Sequence, residues 1–185
     1  MGGGIAQHLA LDHADRVASL TLIATSPGGP DLPPMSHELR ARFEEPPPEP
    51  DWSDRQAVVD YLVDELRPFA GTLPFDEEAM RALVARIVDR TVDIEAATKN
   101  HWLLDGGEPL RPRLGEIRAP TLVLHGTEDP LFPYGHAEAL AAEIPRARLR
   151  PLEGMGHEVP PRPLWDQVVA AVLDHTAFNE EGDPS

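Results

Sequence analysis

The sequence predicts an α/β fold, in which parallel strands alternate with helices. The first observation is a pair of apolar runs, at residues 17–24 and 121–125, that are rich in β-branched residues and typical of parallel strands covered on both faces. The second is that segments with helical spacing flank both runs. The third is the composition, because 41% hydrophobic and 26% charged residues over 185 positions are typical of one globular domain with room for an insertion.

The first part of the chain predicts one helix, one strand and a long connection. Residues 3–12 carry apolar side chains at helical spacing, and the strand at 17–24 follows. Eight prolines fall between residues 27 and 50, with three in a row at 46–48. Because proline lacks the backbone donor that helices and central strands use, we expect an extended connection without regular helix here.

Three helices are predicted next. Ser53 and Gln56 resemble a capping box, which would open a helix that ends near residue 67. A second helix follows Asp76, and a third covers 94–104 and ends at a pair of glycines, which is a common helix stop. These segments predict an all-helical insertion between strands.

The α/β pattern then resumes to the end of the chain. We predict a strand at 121–125, a helix at 135–143, a strand at 147–152 and a last helix at 163–175.

The resulting organisation is a core interrupted once. Residues 1–26 and 111–176 form the α/β core, residues 27–110 form a helical cap, and residues 177–185 form a flexible tail.

Charge and residue content exclude several functions. Thirty-two Asp and Glu against 16 Lys and Arg give a net charge of −16, which argues against nucleic acid and against anionic membrane surfaces as partners. No apolar run reaches membrane-spanning length, and no basic, apolar leader opens the chain, so we expect a cytoplasmic location. The absence of cysteine excludes disulfides and thiol catalysis, and the histidines lack metal-binding spacing. No metal or cofactor is expected.

Candidate catalytic residues follow two of the predicted strands. Asp129 comes after the strand at 121–125, and His157 comes after the strand at 147–152. Carboxyl ends of neighbouring parallel strands meet at one edge of a sheet, so we expect the two side chains to meet. An aspartate bonded to one imidazole nitrogen leaves the other nitrogen as a general base. Taken alone, Asp129 also fits an ordinary turn before proline.

Other polar and aromatic residues have weaker signals. The neighbouring carboxylates Glu128 and Glu158 are expected to be solvated. Phe69 and Phe75 are expected in the core of the helical cap.

We expect substrate contact instead from three consecutive residues in the third predicted helix. They are Asn100, His101 and Trp102, which combine polar and aromatic groups of the kind that line ligand pockets.

Residues 115–133, GEIRAPTLVLHGTEDPLFP, and residues 153–157, EGMGH, resemble the second half of an α/β-hydrolase. In that family the triad acid follows the seventh strand and the histidine follows the eighth, positions that Asp129 and His157 match. Met1 and the glycines after it resemble the residues that follow the serine of the G-x-S-x-G nucleophile elbow. Over a wider range, the sequence is similar to aclacinomycin methylesterase-like hydrolases.

The resemblance implies a carboxylic ester hydrolase with a Ser-His-Asp triad and a small-molecule ester substrate. It places the chain as the last three strands of the fold, with the N-terminal half of the sheet and the serine before Met1, and it gives the Met1 amide to the oxyanion hole. We therefore expect the 185-residue chain alone to be inactive. The alternatives are an epoxide hydrolase or related enzyme with an aspartate nucleophile, and a non-catalytic truncated fragment. The exact ester and the oligomeric state stay open.

Overall fold

A three-stranded parallel sheet forms the centre of the molecule. The computed structural model describes residues 1–103 and 107–177, without the side chains of His101 and Trp102. The strands are β1 (Leu20–Ile23), β2 (Thr121–Gly126) and β3 (Ala147–Leu152), in the spatial order β1-β2-β3. All pairings are parallel, so the carboxyl ends of β2 and β3 lie at the same edge. The predicted fold class is confirmed.

Helices surround the sheet and fill the long connection between β1 and β2. The α-helices of the described residues are α1 (Gly2–Asp12), α2 (His37–Glu44), α3 (Arg55–Leu66), α4 (Glu77–Arg90), α5 (Ile94–Lys99), α6 (Gly135–Glu143) and α7 (Trp165–Ala177). None of them is both long and apolar enough to cross a membrane.

Both faces of the sheet are covered, because successive side chains of a strand point to opposite faces. Val123 of β2 packs with Ala10 of α1 and Leu140 of α6 on one face. On the other face, its neighbours Leu122 and Leu124 pack against the α7 side. All six residues of β2 are buried, as expected for the central strand of a parallel sheet.

Helices α2 to α5 lie between β1 and β2 in the chain, where the helical insertion was predicted. Helices α3 and α4 pack through a small core that includes Val59, Val63 and Val84. Helix α4 begins as predicted, because the Asp76 carboxylate accepts the Ala79 N–H at 2.9 Å and caps its first turn.

The expectation that no helix occurs between residues 27 and 50 is wrong. Helix α2 lies in that stretch, in the proline-free window between Pro34 and Pro46. The Ser36 hydroxyl accepts the Leu39 N–H at 3.2 Å, and the Leu39 side chain is only 1% exposed. A cap and one buried anchor are therefore enough to form eight residues of helix between prolines.

The predicted cap of α3 is also wrong by one residue. Asp54, not Ser53, is the N-cap, and its carboxylate accepts the N–H groups of Gln56 at 2.9 Å and Ala57 at 3.2 Å. The Ser53 hydroxyl instead donates to Asp51 at 2.6 Å. Aspartate and serine are equally good caps, so local sequence does not separate them.

Several boundaries differ from prediction. Strand β1 is shorter than 17–24, because β2 begins opposite Leu20 and Ala24 has a φ of 47°. Helix α5 ends at Lys99 and continues as a 3-10 turn to Leu103, and the predicted glycine stop lies partly outside the described residues. A similar turn precedes α7, which begins at Trp165. Of the predicted tail, residues 178–185 lie outside the description.

Apolar side chains are exposed on two helices that flank β1. Ile5 and Leu9 of α1 are 54% and 48% exposed, and Val169 and Leu173 of α7 are 54% and 61% exposed. Within the described ranges, β1 pairs with β2 alone.

Candidate active site

The two predicted catalytic residues meet at the carboxyl edge of the sheet. The His157 Nδ1 atom lies 2.9 Å from the Asp129 Oδ2 atom. The Asp129 side chain is fully buried, whereas the His157 side chain is 24% exposed. Because a carboxylate accepts hydrogen bonds, we assign the imidazole proton to Nδ1. This assignment leaves the Nε2 lone pair available as a base.

The loop after β2 holds Asp129 rigidly. Its Oδ1 atom accepts the N–H groups of Leu131 at 2.9 Å and Phe132 at 2.7 Å. The turn that Asp129 forms and its contact with His157 are therefore simultaneous, since the turn uses Oδ1 and the histidine uses Oδ2. The two sequence interpretations of this residue are not exclusive.

The pKa of the Asp129 carboxyl lies well below its usual value of 3.8. Burial by itself raises this pKa, because a buried charge loses its hydration. Hydrogen bonds from His125, His157 and the Phe132 N–H outweigh burial and lower it. The carboxylate is therefore held ionised, ready to stabilise a protonated His157.

A second imidazole, that of His125, also contacts the Asp129 carboxylate. It is fully buried in β2, with its Nε2 atom 2.8 Å from the Phe132 carbonyl oxygen and 3.3 Å from Asp129 Oδ2. Two acceptors face this nitrogen, so the proton belongs on Nε2. The His125 Nδ1 atom has no hydrogen-bond partner in the described part of the chain.

The loop after β3 brings His157 to the edge of the sheet. Met155 is completely buried in this loop, and its carbonyl accepts the Glu128 N–H at 3.1 Å. The Gly154 N–H donates to the Thr127 hydroxyl at 2.9 Å. These bonds join the two loops that carry the acid and the histidine, which fixes the separation of the pair.

The helical insertion contacts the histidine loop through residues 69–73, which we call the clamp segment. The His157 N–H donates to the Phe69 carbonyl at 2.7 Å, and the N–H groups of Thr72 and Leu73 donate to the Gly154 carbonyl at 2.8 and 3.2 Å. The backbone that carries the imidazole is thus bonded directly to the insertion.

Two neighbouring residues have contacts that the sequence did not indicate. The Phe69 ring packs edge-on to Phe43 of α2 within the insertion, with centroids 6.3 Å apart, and it also lies 6.1 Å from the His157 ring. Phe75 does pack in the α3–α4 core, as expected. Glu158 is not simply solvated, because its Oε1 atom accepts the N–H groups of Gly71 at 3.3 Å and Gly156 at 3.2 Å.

A further aromatic ring beside His157 was missed in the sequence. The Phe132 ring lies edge-on to the imidazole, with centroids 5.2 Å apart. Its position three residues after Asp129 was the available signal, since the turn around Asp129 returns the chain to the site. Phe69 and Phe132 give the imidazole a largely apolar surrounding.

A separate serine–histidine contact lies nearby and was also missed. The Ser26 hydroxyl lies 2.7 Å from His136 Nδ1, and His136 Nε2 lies 2.8 Å from the Pro33 carbonyl. The Phe132 and His136 rings are 5.3 Å apart. These bonds connect the segment after β1 to the start of α6. No sequence motif indicates them.

The other predicted site residues are Met1, Asn100, His101 and Trp102. Met1 is the N-cap of α1, with an exposed side chain, and its carbonyl accepts the Gly4 N–H at 2.9 Å. Asn100 is exposed after α5, and the side chains of His101 and Trp102 lie outside the description. Substrate contact by these three residues stays a prediction.

Metal ligands do not cluster in the described ranges. Within residues 1–103 and 107–177, no group of three or more His, Cys, Asp or Glu side chains is arranged to hold a metal ion.

Comparison with known proteins identifies the family. The sequence profile described as alpha/beta hydrolase fold matches residues 1–160. The chain belongs to the α/β-hydrolase family. The resemblance seen in the sequence is therefore confirmed.

Named relatives of this α/β-hydrolase include two different enzymes. It is 29% identical over 164 residues to a 2-hydroxy-6-oxo-6-phenylhexa-2,4-dienoate hydrolase of Comamonas testosteroni, covering 85% of this chain and 54% of the relative. It is 25% identical over 196 residues to rhodomycin D methylesterase DauP of Streptomyces sp. (strain C5), covering 95% and 64%. The chain thus spans between half and two thirds of these relatives.

Solved structures agree on the fold. The 2-hydroxy-6-oxo-6-phenylhexa-2,4-dienoate hydrolase of Rhodococcus sp. strain RHA1 superposes with a TM-score of 0.68 at 18% identity, over 96% of this α/β-hydrolase and 61% of that chain. The enol-lactonase of Burkholderia xenovorans LB400 gives a TM-score of 0.65 at 24% identity, over 96% and 63%.

Proposed function

We propose that this chain carries the acid–base half of a serine-type carboxylic ester hydrolase site. Asp129 orients His157, and a serine that precedes Met1 in the polypeptide acts as the nucleophile. The observation that supports this most is the 2.9 Å hydrogen bond between His157 and a fully buried Asp129. Burial and two backbone donors hold the carboxylate in place, as an orienting group requires.

In the proposed reaction, His157 moves the proton twice. Its Nε2 atom takes the proton of the attacking serine hydroxyl and later gives it to the departing alcohol. Asp129 stabilises the imidazolium that exists in between. Water then attacks the acyl-enzyme while His157 takes its proton. His157 returns this proton to the serine oxygen as the bond to the acyl group breaks and the carboxylic acid leaves. The Met1 amide, at the N-terminus of α1, would help to stabilise the oxyanion, because free N–H groups at that end favour negative charge.

The proposed substrate is a small-molecule ester, with a methyl ester as the first choice. The methylesterase relative supports the methyl group. Residues 27–110 would act as a cap over the core at 1–26 and 111–176, and Asn100, His101 and Trp102 would contact the substrate.

The proposal accounts for the expected inactivity of the 185 residues by themselves. None of the serines in the chain stands in a G-x-S-x-G motif. Hydrolysis by this mechanism needs that nucleophile, so His157 and Asp129 alone should give no turnover.

The test supplies the serine and asks whether the pair uses it. The chain is extended at Met1 by an α/β-hydrolase N-terminal segment that ends in a serine directly before Met1, and hydrolysis of methyl and p-nitrophenyl esters is measured. We expect turnover that falls by about 10⁶-fold in His157→Ala, while the exposed control His37→Ala keeps full activity. Turnover that survives His157→Ala would contradict the proposal.

The same extended chain separates the alternatives. Replacing the supplied serine by aspartate tests for epoxide opening, and a 2-hydroxy-6-oxo-dienoate tests the activity named for the Comamonas relative. Preference for either substrate over esters would replace the ester assignment. If a folded extended chain hydrolyses none of them, the non-catalytic alternative is favoured.

A further inference from the structure

Glu158 lies between the histidine loop and the helical insertion. One of its carboxylate oxygens, Oε1, accepts a hydrogen bond from Gly156, the residue before His157, and another from Gly71 of the clamp segment. A single side-chain atom therefore joins the backbone that carries the imidazole to the part of the chain proposed to cover the substrate.

The backbones around Glu158 approach too closely for any residue but glycine. A Cβ atom on Gly71 would overlap the Gly154 carbonyl oxygen and lie 2.6 Å from the Gly156 nitrogen. A Cβ atom on Gly156 would overlap the Phe69 carbonyl oxygen. Because both glycines lack a side chain, their N–H groups come within reach of the same carboxylate oxygen.

The clamp segment also contacts the loop through the Phe69 ring beside His157 and through Leu73, which packs against the cluster that contains Met155. Its remaining backbone bonds reach Gly154 and His157, on either side of Gly156. Without Glu158, the N–H groups of Gly71 and Gly156 lose their common acceptor in the middle of this contact. A small displacement of Gly156 would turn the His157 imidazole relative to Asp129.

We propose that Glu158 is a positioning residue for His157, which sets the imidazole by binding the Gly71 and Gly156 N–H groups together. This rests on the proposed function of His157. Glu158 acts as a hydrogen-bond acceptor, so glutamine at this position can replace it, whereas alanine cannot.

The first test needs no catalysis. Amide hydrogen exchange is measured on the 185-residue chain and on its Glu158→Ala and Glu158→Gln variants, with the exposed Glu153→Gln as a matched control in the same loop. We expect the amides of Gly71 and Gly156 to exchange faster in Glu158→Ala, and to stay close to wild type in Glu158→Gln. Unchanged exchange in Glu158→Ala would overturn the proposal.

The second test uses the serine-bearing extended chain. Misplacement of a catalytic group by about 1 Å costs on the order of 100-fold in rate, so kcat should fall between about 10- and 100-fold in Glu158→Ala with KM little changed. Glu158→Gln should recover most of this loss. A purely structural role would lower the Tm of Glu158→Ala while kcat of the folded enzyme stayed the same, which would overturn the proposal.

The two proposals can fail separately. If Glu158→Ala speeds exchange but His157→Ala leaves turnover intact, the function assigned to His157 fails and with it the catalytic role of Glu158. If His157→Ala abolishes turnover but Glu158→Ala changes neither exchange nor kcat, only the positioning role fails.

Discussion

Replacing Asp129 by asparagine tests how the candidate site is held. The asparagine oxygen can still accept the N–H groups of Leu131 and Phe132, but an NH₂ group takes the place of the oxygen that faces the two imidazoles. His157 can shift its proton and accept from this NH₂ group. His125 cannot adapt as easily, because its Nε2–H already faces the Phe132 carbonyl at 2.8 Å.

The expected magnitude follows from the bonds that are lost. A hydrogen bond to a charged group contributes about 1.5–3 kcal/mol, and Asp129→Asn loses one or two of them. We expect the free energy of unfolding to fall by about 2–4 kcal/mol at pH 7. The control, Asp64→Asn, changes an exposed carboxylate on α3 and should have little effect.

The loss of stability in Asp129→Asn should also depend on pH. The folded-state pKa of Asp129 lies below 3.8, so its ionised form stabilises the fold at every pH above the unfolded value. That stabilisation is lost as the pH falls below 3.8 towards the folded-state pKa.

Urea unfolding of both proteins, followed by tryptophan fluorescence, should show a clear gap at pH 7 and pH 5 and a gap at pH 3 that is smaller than at pH 5. A gap that is absent at pH 7, or that widens between pH 5 and pH 3, would refute this reasoning.

Three further changes test the packing. Gly156→Ala should lower the Tm by several degrees in a thermal melt, because its Cβ would overlap the Phe69 carbonyl oxygen; an unchanged Tm would contradict the close contact. Val63→Ala should cost about 2 kcal/mol of unfolding free energy in urea, because this side chain is completely buried between α3 and α4; a neutral effect would show that the α3–α4 core is loose. Val169→Lys with Leu173→Lys should leave the circular dichroism spectrum unchanged, because both side chains are more than half exposed and surface substitutions cost little stability. Loss of helical signal in that variant would mean that these residues are buried in solution.

The sheet and the Asp129–His157 pair could be predicted because they depend on local patterns. Apolar runs define β2 and β3, and the carboxyl ends of neighbouring parallel strands must meet. The proximity of the acid and the histidine could therefore be predicted without knowledge of the loop conformations.

What could not be predicted depends on contacts between distant segments. In the sequence, nothing distinguishes Glu158 from a solvated glutamate, because its partner Gly71 belongs to the distant insertion. Phe69 packs with Phe43 of the insertion as a core residue would, and only the tertiary structure shows that its ring also contacts His157. Helix α2 is not apparent from the sequence because prolines lie on both sides of it, although none falls inside it.

Histidine NMR tests the central claim most directly, because it measures the Asp129–His157 hydrogen bond itself. In the 185-residue chain labelled with ¹⁵N-histidine, we expect His157 to carry its proton on Nδ1, with a strongly deshielded proton signal that disappears in Asp129→Asn. Nε2 should give the signal of an unprotonated nitrogen. A His157 protonated on Nε2 instead, or a signal unaffected by Asp129→Asn, would contradict the assignment of the pair as orienting acid and general base.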